Sequence, residues 1–278
     1  MMSDFTAFAD MERSGWSDAA RAQAYVGLFA SASEQAIGSL LDAAAVAPGR
    51  KALDLCCGQG SVAAALIGRG CRVVGADFSP VMLALARARV PNATFIEADV
   101  QHLPFGDGEF DVVVSNLGVC HVPDQPQALS EARRVLRKSG RFAMTVWCGP
   151  DVSPSFELVY GAVKAHGSPN VSAPSGPDFH QFANRETAAR LLSQTGFADV
   201  ACTIVDCAWD LATPEGLCEI YERGTVRAAM LLGSQPASNL AAIRSAIARS
   251  VRERFAHGDR WRIPVPAALV TATAAGKD

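Results

Sequence analysis

Two aspartates are predicted to lie at the ends of neighbouring strands in residues 51–77, KALDLCCGQGSVAAALIGRGCRVVGAD. The segment predicts an apolar strand ending near Asp54, a tight turn with Gly58 and Gly60, an alanine-rich helix, and a second strand ending at Asp77. The carboxyl ends of parallel strands meet at one edge of a sheet, where doubly wound α/β folds bind nucleotide-like ligands. The two carboxylates and the glycine turn are therefore candidates for binding such a ligand.

The type of ligand depends on the charge beside the glycine turn. Gly58-x-Gly60-x-x-Ala63 satisfies the relaxed dinucleotide fingerprint, so a nicotinamide-dependent oxidoreductase is one candidate, although such glycines can also serve only close helix packing. The negative charge of Asp54 would oppose a pyrophosphate, whereas it suits a ligand with a cationic centre and an ammonium group. S-adenosylmethionine has both and no phosphate, and an acid at Asp77 can accept both hydroxyls of its ribose.

Composition excludes several other classes of protein. The chain has 278 residues, of which 49% are hydrophobic, so a sizeable core can be buried. Lys and Arg number 25 against 28 Asp and Glu, a net charge of −3, so no basic field is expected to recruit nucleic acid. No apolar run approaches the roughly 20 residues of a membrane helix, so no membrane span is expected.

The cysteines and the N-terminus favour a cytoplasmic protein. The eight cysteines are scattered, without a C-x-x-C pair or histidines at zinc-ligand spacing, so neither a disulfide framework nor a metal site is predicted. The first residues, MMSDFTAFADMERSGW, are acidic and polar and unlike a secretory signal. We therefore expect reduced thiols in a cytosol.

Strands and helices alternate in the first half of the chain. Strands are predicted at residues 52–55, 72–76, 94–97, 110–115 and 141–147, and helices at 34–45, 62–69, 80–89 and 126–137. Ser79, followed by Pro80, has the sequence of a helix N-cap, and Asn184 has the same character before a helix that ends at Gly196. The alternation predicts a right-handed parallel α/β sheet.

The second half of the chain differs from the first in composition and in its pattern of predicted elements. Residues 148–183 are rich in Gly, Pro and Ser and predict a loop or mobile lid over the site. A strand is predicted at 197–211, and two helices at 214–231 and 236–256. The apolar alternation at 263–273 contains Pro264 and Pro266, so we expect an outer strand that pairs with 197–211.

Several motifs, taken in order, resemble the class I S-adenosylmethionine-dependent methyltransferases, in the branch with the ubiquinone/menaquinone-type and many natural-product enzymes. The residues that carry the resemblance are LDLCCGQG at 53–60, VVGADFSPVML at 73–83, FIEADVQHLPF at 95–105, FDVVVSNLGVCHV at 110–122 and ARRVLRKSGRFAMTVW at 132–147. The resemblance covers about residues 50–147 and extends more weakly to the later strands. One departure is Cys56-Cys57, where the family more often has a glycine.

The resemblance implies a fold and a set of ranges. The expected fold is a doubly wound, seven-stranded, mostly parallel sheet of the Rossmann-like methyltransferase type, with an antiparallel edge strand and an N-terminal plus inserted helical lid. The expected ranges are a helical cap at 1–45, the cofactor-binding α/β core at 46–147, the lid at 148–183, and the rest of the core at 184–278, where inserted helices 214–256 form the acceptor pocket.

The resemblance also implies the cofactor and its binding residues. S-adenosylmethionine is the expected methyl donor and S-adenosylhomocysteine the product. Asp77 is the expected ribose acid, Phe78 and Met82 lie beside the adenine, and Asp99 takes the adenine amino group. Related enzymes close an N-terminal segment over the cofactor, which brings in Trp16 and Tyr25. The full expected set is Tyr25, Asp54, Cys56, Gly58, Gly60, Asp77, Phe78, Met82, Asp99, Val100, Asn116 and Leu117.

His121 is the candidate catalytic residue, because it follows the predicted fourth strand, where acceptors approach in this fold. Its near-neutral unperturbed pKa suits removal of a hydroxyl proton, although a lone histidine is more often structural. Asn116 has two interpretations, a cap at the end of that strand or a group that contacts the sulfonium. Both questions stay open at the level of sequence.

The predicted function is methyl transfer to a small organic acceptor, driven mainly by positioning, with O-, C- and N-methylation all open. A nicotinamide-dependent oxidoreductase and a non-catalytic binding protein with the same fold are the alternatives. The acceptor is expected to contact residues 1–30, 148–183 and 214–256, in a mostly apolar pocket. We further expect no metal, a monomer or homodimer, and a role in secondary metabolism.

Overall fold

The computed structural model describes residues 5–275, so the parts of the predicted ranges 1–45 and 184–278 that fall on residues 1–4 and 276–278 lie outside the described residues. The strands in chain order are β1 Lys51–Leu55, β2 Arg72–Asp77, β3 Thr94–Glu97, β4 Phe110–Asn116, β5 Leu136–Trp147, β6 Phe197–Val205, β7 Ala208–Leu211, β8 Ala256–His257, β9 Arg260–Pro264 and β10 Ala267–Ala274.

Helices surround these strands. They are α1 Thr6–Trp16, α2 Ala19–Ala24, α3 Ala30–Ser33, α4 Ile37–Ala43, α5 Ser61–Gly68, α6 Pro80–Arg89, α7 Gln125–Val135, α8 Pro154–His166, α9 Arg185–Gln194, α10 Gly216–Gly224, α11 Arg227–Gly233 and α12 Ala237–Arg254. A π-helical turn, Tyr25–Phe29, joins α2 to α3. No helix in the part of the chain that the structure describes has both the length and the apolar character to cross a membrane.

The central sheet has seven strands in the order β3-β2-β1-β4-β5-β10-β6. Strands β1 to β5 are parallel, as the alternation of strands and helices predicts. The order reverses between β1 and β4, and this switch point is where ligands bind in open α/β sheets. Asp54 in β1 lies between Gly75 of β2 and Val114 of β4, directly at this point.

The antiparallel strand lies inside the sheet, which corrects the expectation of an antiparallel edge strand. β10 pairs with β5 on one side and with β6 on the other, so the edge is β6. Pro264 ends β9 and Pro266 lies just before β10, so the prolines mark the passage from a small sheet to the central one. Because β10 itself contains no proline, both of its sides can form ladder hydrogen bonds.

The predicted strand 197–211 is also divided between two sheets. β6 belongs to the central sheet, whereas β7 pairs with β9 in a three-stranded sheet of order β7-β9-β8. The sequence does not reveal this division, because residues with high β-propensity continue from β6 into β7 while the pairing changes from β10 to β9.

Three predicted ranges differ from the structure. The predicted helix 126–137 ends at Val135, and β5 begins at Leu136 instead of residue 141, because Leu136 already pairs with Phe110 of β4. Residues 148–183 contain the helix α8, which begins with Pro154 at its first turn and buries Phe156 and Val159. Glycines and prolines on both sides of α8 dominate the composition of the segment and conceal the helix. The predicted helix 214–231 is interrupted between α10 and α11 because Thr225 adopts an extended conformation (φ −127°, ψ 166°).

Apolar layers cover both faces of the central sheet, and a separate aromatic cluster lies beyond its carboxyl edge. In that cluster, Trp209 and Tyr221 are fully buried and pack around Phe29 with ring centroids 5.1 and 6.4 Å away. The helices α8, α10 and α12 and the small sheet supply much of the rest of this cluster. This cluster therefore forms an apolar region next to the switch point.

The N-terminal helix α1 is fastened to the carboxyl edge through Ser79. The hydroxyl of Ser79 accepts a hydrogen bond from the amide of Met82 (3.1 Å), as expected of an N-cap, and donates to the carbonyl of Trp16 (2.7 Å). Asn184 caps α9 by accepting from the amide of Thr187 (2.9 Å), also as the sequence predicts. Ser79 therefore combines a local cap with a long-range contact.

Replacing these two caps separates their contributions to stability. Asn184→Ala should lower the free energy of unfolding by about 1 kcal/mol, the usual cost of a lost N-cap. Ser79→Ala should cost about 1 kcal/mol more, because the bond to the Trp16 carbonyl is also lost. Urea unfolding of both variants measures the difference, and equal losses would show that Ser79 does not hold α1.

Candidate active site

The turns that follow β1 and β4 form the floor of the candidate site. Cys56 (φ 55°) and Leu117 (φ 61°) adopt the left-handed conformation, which is costly for residues other than glycine. A Cβ on Gly118 would lie 2.3 Å from the Cβ of Cys56, so only glycine allows the two turns to meet. Cys56 thus follows the backbone path that a glycine at this position would allow. Such strain commonly marks functional sites.

Asp77 links the glycine turn of β1 to the start of α6. Its two carboxylate oxygens accept hydrogen bonds from the amides of Gly58 and Ser79, both at 2.9 Å. Burial raises the pKa of Asp77, and the bonds from the two amides offset part of that rise. Each carboxylate oxygen can accept a further hydrogen bond, so Asp77 keeps capacity for hydroxyl donors of a ligand.

Asp54 is the least satisfied acid of the site. It is 1% exposed, and neither carboxylate oxygen has a hydrogen-bond partner among the described residues. Burial and then the charge of Asp77 raise the pKa of Asp54 well above its usual value, and the amide of Ala63 lowers it only in part. A buried carboxylate without a partner is costly, and it calls for a cationic ligand group.

The space next to Asp54 suits the amino-acid head of S-adenosylmethionine. Gly58 has φ 52°, and a Cβ built on it would meet no atom within 4 Å, so its backbone faces open space. The orphaned oxygens of Asp54 are acceptors for an ammonium group, and the adjacent backbone is accessible to the ligand. The residues present therefore fit this cofactor.

The side of the site expected to hold adenine is closed by α1. The guanidinium of Arg13 lies 5.3 Å from the ring centroid of Phe78 and 3.8 Å from a carboxylate oxygen of Asp99. Gln101 donates to both oxygens of Asp99 through its side-chain amide, at 2.9 and 3.1 Å. Asp99 is thus already engaged within the protein, and its predicted contact with an adenine amino group must share these oxygens.

One cavity of about 380 Å³ collects nearly all the predicted binding residues. The residues of the predicted set that line it are Tyr25, Asp54, Cys56, Gly58, Asp77, Phe78, Met82, Asp99, Val100, Asn116 and Leu117, together with His121. Gly60 is not among the lining residues: with φ 81°, it precedes α5, where a Cβ would lie 3.2 Å from Ala86. Gly60 therefore serves the packing of α5 on α6.

Asn116 and Tyr25 connect the floor of the cavity to the N-terminal helices. The side-chain amide of Asn116 donates to the carbonyl of Ser33 (3.0 Å), and its oxygen accepts from Thr145 (2.6 Å). Tyr25 lies in the π-helical turn and stacks on Phe29 with centroids 5.5 Å apart. Burial raises the pKa of Tyr25, so its phenol stays neutral at ordinary pH. Single π-helical turns within α-helices often occur at functional sites.

His121 is paired with an acid that sequence reasoning did not find. The Oε2 atom of Glu12 lies 2.9 Å from Nδ1 of His121, and the same oxygen accepts from the indole nitrogen of Trp16 at 2.9 Å. Glu12 is 2% exposed although it belongs to the N-terminal helix. A weak signal existed, because Glu12 and Trp16 are four residues apart and so share one face of α1.

The pair with Glu12 changes the acid–base character of His121. Burial of the imidazole lowers its pKa, but the charges and hydrogen bonds of Cys120 and Glu12 raise it more, so the pKa lies well above its usual value. The Sγ of Cys120 lies 3.2 Å from the carbonyl oxygen of Leu117, as expected of a thiol that donates. We therefore assign the raised pKa to the Glu12 carboxylate.

The rest of the cavity is lined by aromatic rings, all but Trp147 from the ranges expected to contact the acceptor, and by a cation. The rings, which together form the aromatic wall of the cavity, belong to Phe29, Trp147, Phe156, Tyr160, Phe179 and Tyr221. Arg227, at the start of α11, also lines the cavity. His180 lies behind this wall, where its Nδ1 is 2.9 Å from the carbonyl oxygen of Trp147, so it holds the wall in place.

Comparison with known proteins gives the family. A model described as "Methyltransferase domain" matches residues 53–144. The demethylmenaquinone methyltransferase of Clavibacter sepedonicus is 35% identical over 176 residues, which is 56% of this chain and 69% of that protein. The chain belongs to the class I S-adenosylmethionine-dependent methyltransferases. The family match supports use of S-adenosylmethionine and favours methyl transfer over the nicotinamide alternative.

Two further similarities define how far this family assignment extends. The demethylmenaquinone methyltransferase of Beutenbergia cavernae is 40% identical over 121 residues, covering 44% of this chain and 50% of that protein. The methyltransferase chain thus spans about half the length of this and other relatives that it matches. The crystal structure of YcgJ from Bacillus subtilis shares the fold, with a TM-score of 0.60 and 18% identity over 87% of this chain and 99% of that one.

Clusters of potential metal ligands are absent from the described part of this methyltransferase. Among residues 5–275, no group of three or more His, Cys, Asp or Glu side chains is placed to hold a metal ion. Independence from a metal stays a prediction.

Asp54→Asn tests whether this acid binds a cation at the expense of stability. The variant should raise the free energy of unfolding of the ligand-free protein by about 1–3 kcal/mol at a pH above the folded pKa of Asp54, because an unpartnered buried charge is then removed. Its affinity for S-adenosylhomocysteine should fall. Thermal unfolding and calorimetric titration measure the two effects, with the exposed Asp199→Asn as control.

The pH dependence of that stability gain follows from the raised pKa of Asp54. The folded protein holds the proton of Asp54 more strongly than the unfolded chain. Its contribution to stability is therefore complete below the unfolded pKa of about 3.9 and is lost as pH rises through the folded pKa. The advantage of Asp54→Asn should grow across that window, and a gain that does not change with pH would contradict a buried, titrating Asp54.

Proposed function

We propose that this protein transfers the methyl group of S-adenosylmethionine to a small organic acceptor. The observation that carries the proposal is the buried carboxylate of Asp54, which has no hydrogen-bond partner in the part of the chain that the structure describes and shares one cavity with the aromatic wall. S-adenosylmethionine supplies a methyl group already activated by a sulfonium. The chain must therefore mainly align donor and acceptor and exclude water, which can supply several kcal/mol.

The residues at the carboxyl edge have distinct proposed roles in holding the donor. Asp54 binds the ammonium group of the amino-acid head, and Asp77 accepts hydrogen bonds from the ribose hydroxyls. Phe78, Met82 and Val100 contact the adenine, and Asp99 accepts from its amino group. The turns at Cys56, Gly58 and Leu117 bring the backbone close to the ligand, while Tyr25 and Asn116 connect this floor to the N-terminal helices.

The acceptor is proposed to lie between His121 and the aromatic wall. Flat rings line most of this region, so a planar acceptor would gain the most contact. The relatives named demethylmenaquinone methyltransferases are consistent with such an acceptor. His121 is proposed to act as a general base there, because its Nδ1 is occupied by Glu12 and its Nε2 is left for the acceptor. O-, C- and N-methylation stay open at this level.

Other features of the proposal concern the setting of the reaction. All eight cysteines are free, which supports a reducing compartment such as the cytoplasm. The net charge of −3 supports a small molecule over a nucleic acid as partner. A monomeric or dimeric state, the independence from metal and a role in secondary metabolism are retained as predictions.

Calorimetry and transfer assays test the proposed function directly. Binding of S-adenosylhomocysteine without binding of NADH, together with label transfer from S-adenosylmethionine to members of an aromatic acceptor panel, is the expected result. Binding of the cofactor without transfer to any acceptor would instead favour a non-catalytic protein with this fold. Tight NADH binding without a response to S-adenosylhomocysteine would exclude the proposal.

Asp77→Ala tests the proposed ribose contact. Affinity for S-adenosylhomocysteine should fall by roughly 1.5–3 kcal/mol, or about 10- to 150-fold, the scale of hydrogen bonds to a charged group. Glu97→Ala is the matched control, because Glu97 faces Asp77 on the neighbouring strand but is exposed and does not line the cavity. Unchanged affinity in a folded Asp77→Ala protein would exclude the ribose role.

A further inference from the structure

We propose that Glu12 is a positioning residue for His121, and that the pair removes the proton from a ring hydroxyl of an aromatic acceptor. The proposal rests on the proposed methyl transfer and deepens it, since it names the acceptor group and adds a residue from the N-terminal helix. It starts from Glu12, a buried acid that lines the cavity and that donor binding does not use.

The hydrogen bonds of Glu12 fix the orientation of the imidazole. Oε2 of Glu12 is shared by the indole N–H of Trp16 and by Nδ1 of His121, each at 2.9 Å. A carboxylate only accepts hydrogen bonds, so the neutral imidazole must carry its proton on Nδ1. The lone pair then lies on Nε2, and this nitrogen is the one able to take a proton from an acceptor.

Rings on two sides limit the position of the imidazole. The indole of Trp16 and the ring of Phe179 each meet it edge to face, with centroids 5.3 Å away. The side chain of His121 is still 24% exposed, whereas that of Glu12 is 3% exposed. The imidazole is therefore accessible from the cavity, while the acid that orients it is shielded from solvent.

The charged and titratable groups around the imidazole favour a strong base. Glu12 approaches from α1, Asp77 lies close enough to interact with it from the end of β2, and Cys120 is adjacent in the chain. The two acids stabilise a positive charge on the ring. The second oxygen of Glu12, Oε1, is buried with no hydrogen-bond partner in residues 5–275, so the carboxylate depends on Trp16 and His121 for its stabilisation.

The proton transfer can be written as a balanced step. As the acceptor oxygen bonds to the methyl carbon, the bond from that carbon to sulfur breaks, and its electron pair stays on sulfur. The hydroxyl proton moves to Nε2, and Glu12 neutralises the imidazolium that results. Loss of this proton to solvent restores the neutral ring. A positive charge thus moves from sulfur to the imidazole, where a paired carboxylate already lies.

A ring hydroxyl is the acceptor group that needs such a pair. Phenolic hydroxyls have a pKa near 10, so at neutral pH they are poor nucleophiles until a base removes the proton. A neutral aromatic amine already has its lone pair available and gains little from the base. The aromatic wall and the Glu12–His121 pair therefore point to the same acceptor, a hydroxylated aromatic ring.

Direct titration of His121 is the first test, and it needs neither cofactor nor activity. In the wild-type protein the NMR pKa of its imidazole should exceed the usual 6.5, and Glu12→Gln should lower it by roughly 1–3 pH units. His121→Asn assigns the resonance. Asp10→Asn, which removes an exposed carboxylate from the same helix, should leave the pKa unchanged.

The pH profile of methyl transfer is the second test, with 1-naphthol and 1-naphthylamine as matched acceptors. Glu12→Gln should shift the acidic limb for 1-naphthol to lower pH and reduce kcat about 10- to 100-fold. His121→Asn should abolish the limb, with a loss of about 100-fold or more. Transfer to the amine should fall far less than transfer to 1-naphthol in both variants, because the neutral amine needs no base to free its lone pair.

Trp16→Phe should shift the pKa of His121 in the direction opposite to Glu12→Gln. It also keeps the proposal testable if the Glu12→Gln protein does not fold. Without the indole N–H, the carboxylate of Glu12 is left to His121 alone, so the pKa of His121 and the acidic limb should both move to higher pH. Opposite shifts of the acidic limb in the two variants require a role in proton transfer, since a purely structural clip for α1 would shift the pKa of His121 without moving the limb.

The outcomes separate this inference from the proposed function. A wild-type protein that binds S-adenosylhomocysteine but methylates no acceptor overturns the proposed function, and the catalytic role of the pair with it. A wild type that methylates 1-naphthol, with variants that keep its acidic limb, overturns the role of Glu12 alone. If Glu12→Gln changes only thermal stability and cofactor affinity, the pair is a clip for the N-terminal helix.

Discussion

The carboxylate of Asp77 holds together the elements on which the rest of the site depends. It accepts from the amides of Gly58 and Ser79, so one side chain fixes both the glycine turn after β1 and the first turn of α6. Ser79 in turn donates to the carbonyl of Trp16, and the indole of Trp16 donates to Glu12. A continuous series of hydrogen bonds therefore runs from the expected donor site to the imidazole of His121.

Burial of the acidic side chains destabilises the ligand-free site and also shifts the pKa values on which its proposed chemistry depends. Desolvation raises the pKa of Asp54 and of Asp77, and the oxygens of Asp54 have no partner among the described residues. Such a site is poorly stabilised by its own protein, and the cationic group of the proposed ligand would supply the missing partner. The same shielding strengthens the interaction between Glu12 and His121, because screening by water is weak there. The proposed ligand binding and the proposed proton transfer thus depend on one property, the exclusion of solvent.

Much of the fold followed from local patterns. The strands and helices from β1 to α7 lie close to where periodicity, caps and turns place them, and Ser79 and Asn184 cap the helices that follow them. The errors arose where a segment changes partners without changing its local character. β10 lies inside the sheet although two prolines precede it, and α8 forms within a segment rich in glycine and proline. Long-range pairing decides such cases, and local propensity does not record it.

For the site, the sequence by itself determined the carboxyl edge of the sheet. Asp54, Gly58, Asp77 and Asp99 follow from strand ends and turn residues, because a parallel sheet brings all its strand ends to one edge. Only the tertiary structure decided what lies opposite that edge. Glu12 and His121 are 109 residues apart, and nothing in the local pattern of either predicts their contact. The pair exists because α1 folds back over the sheet, a result of packing that strand and helix periodicity cannot specify.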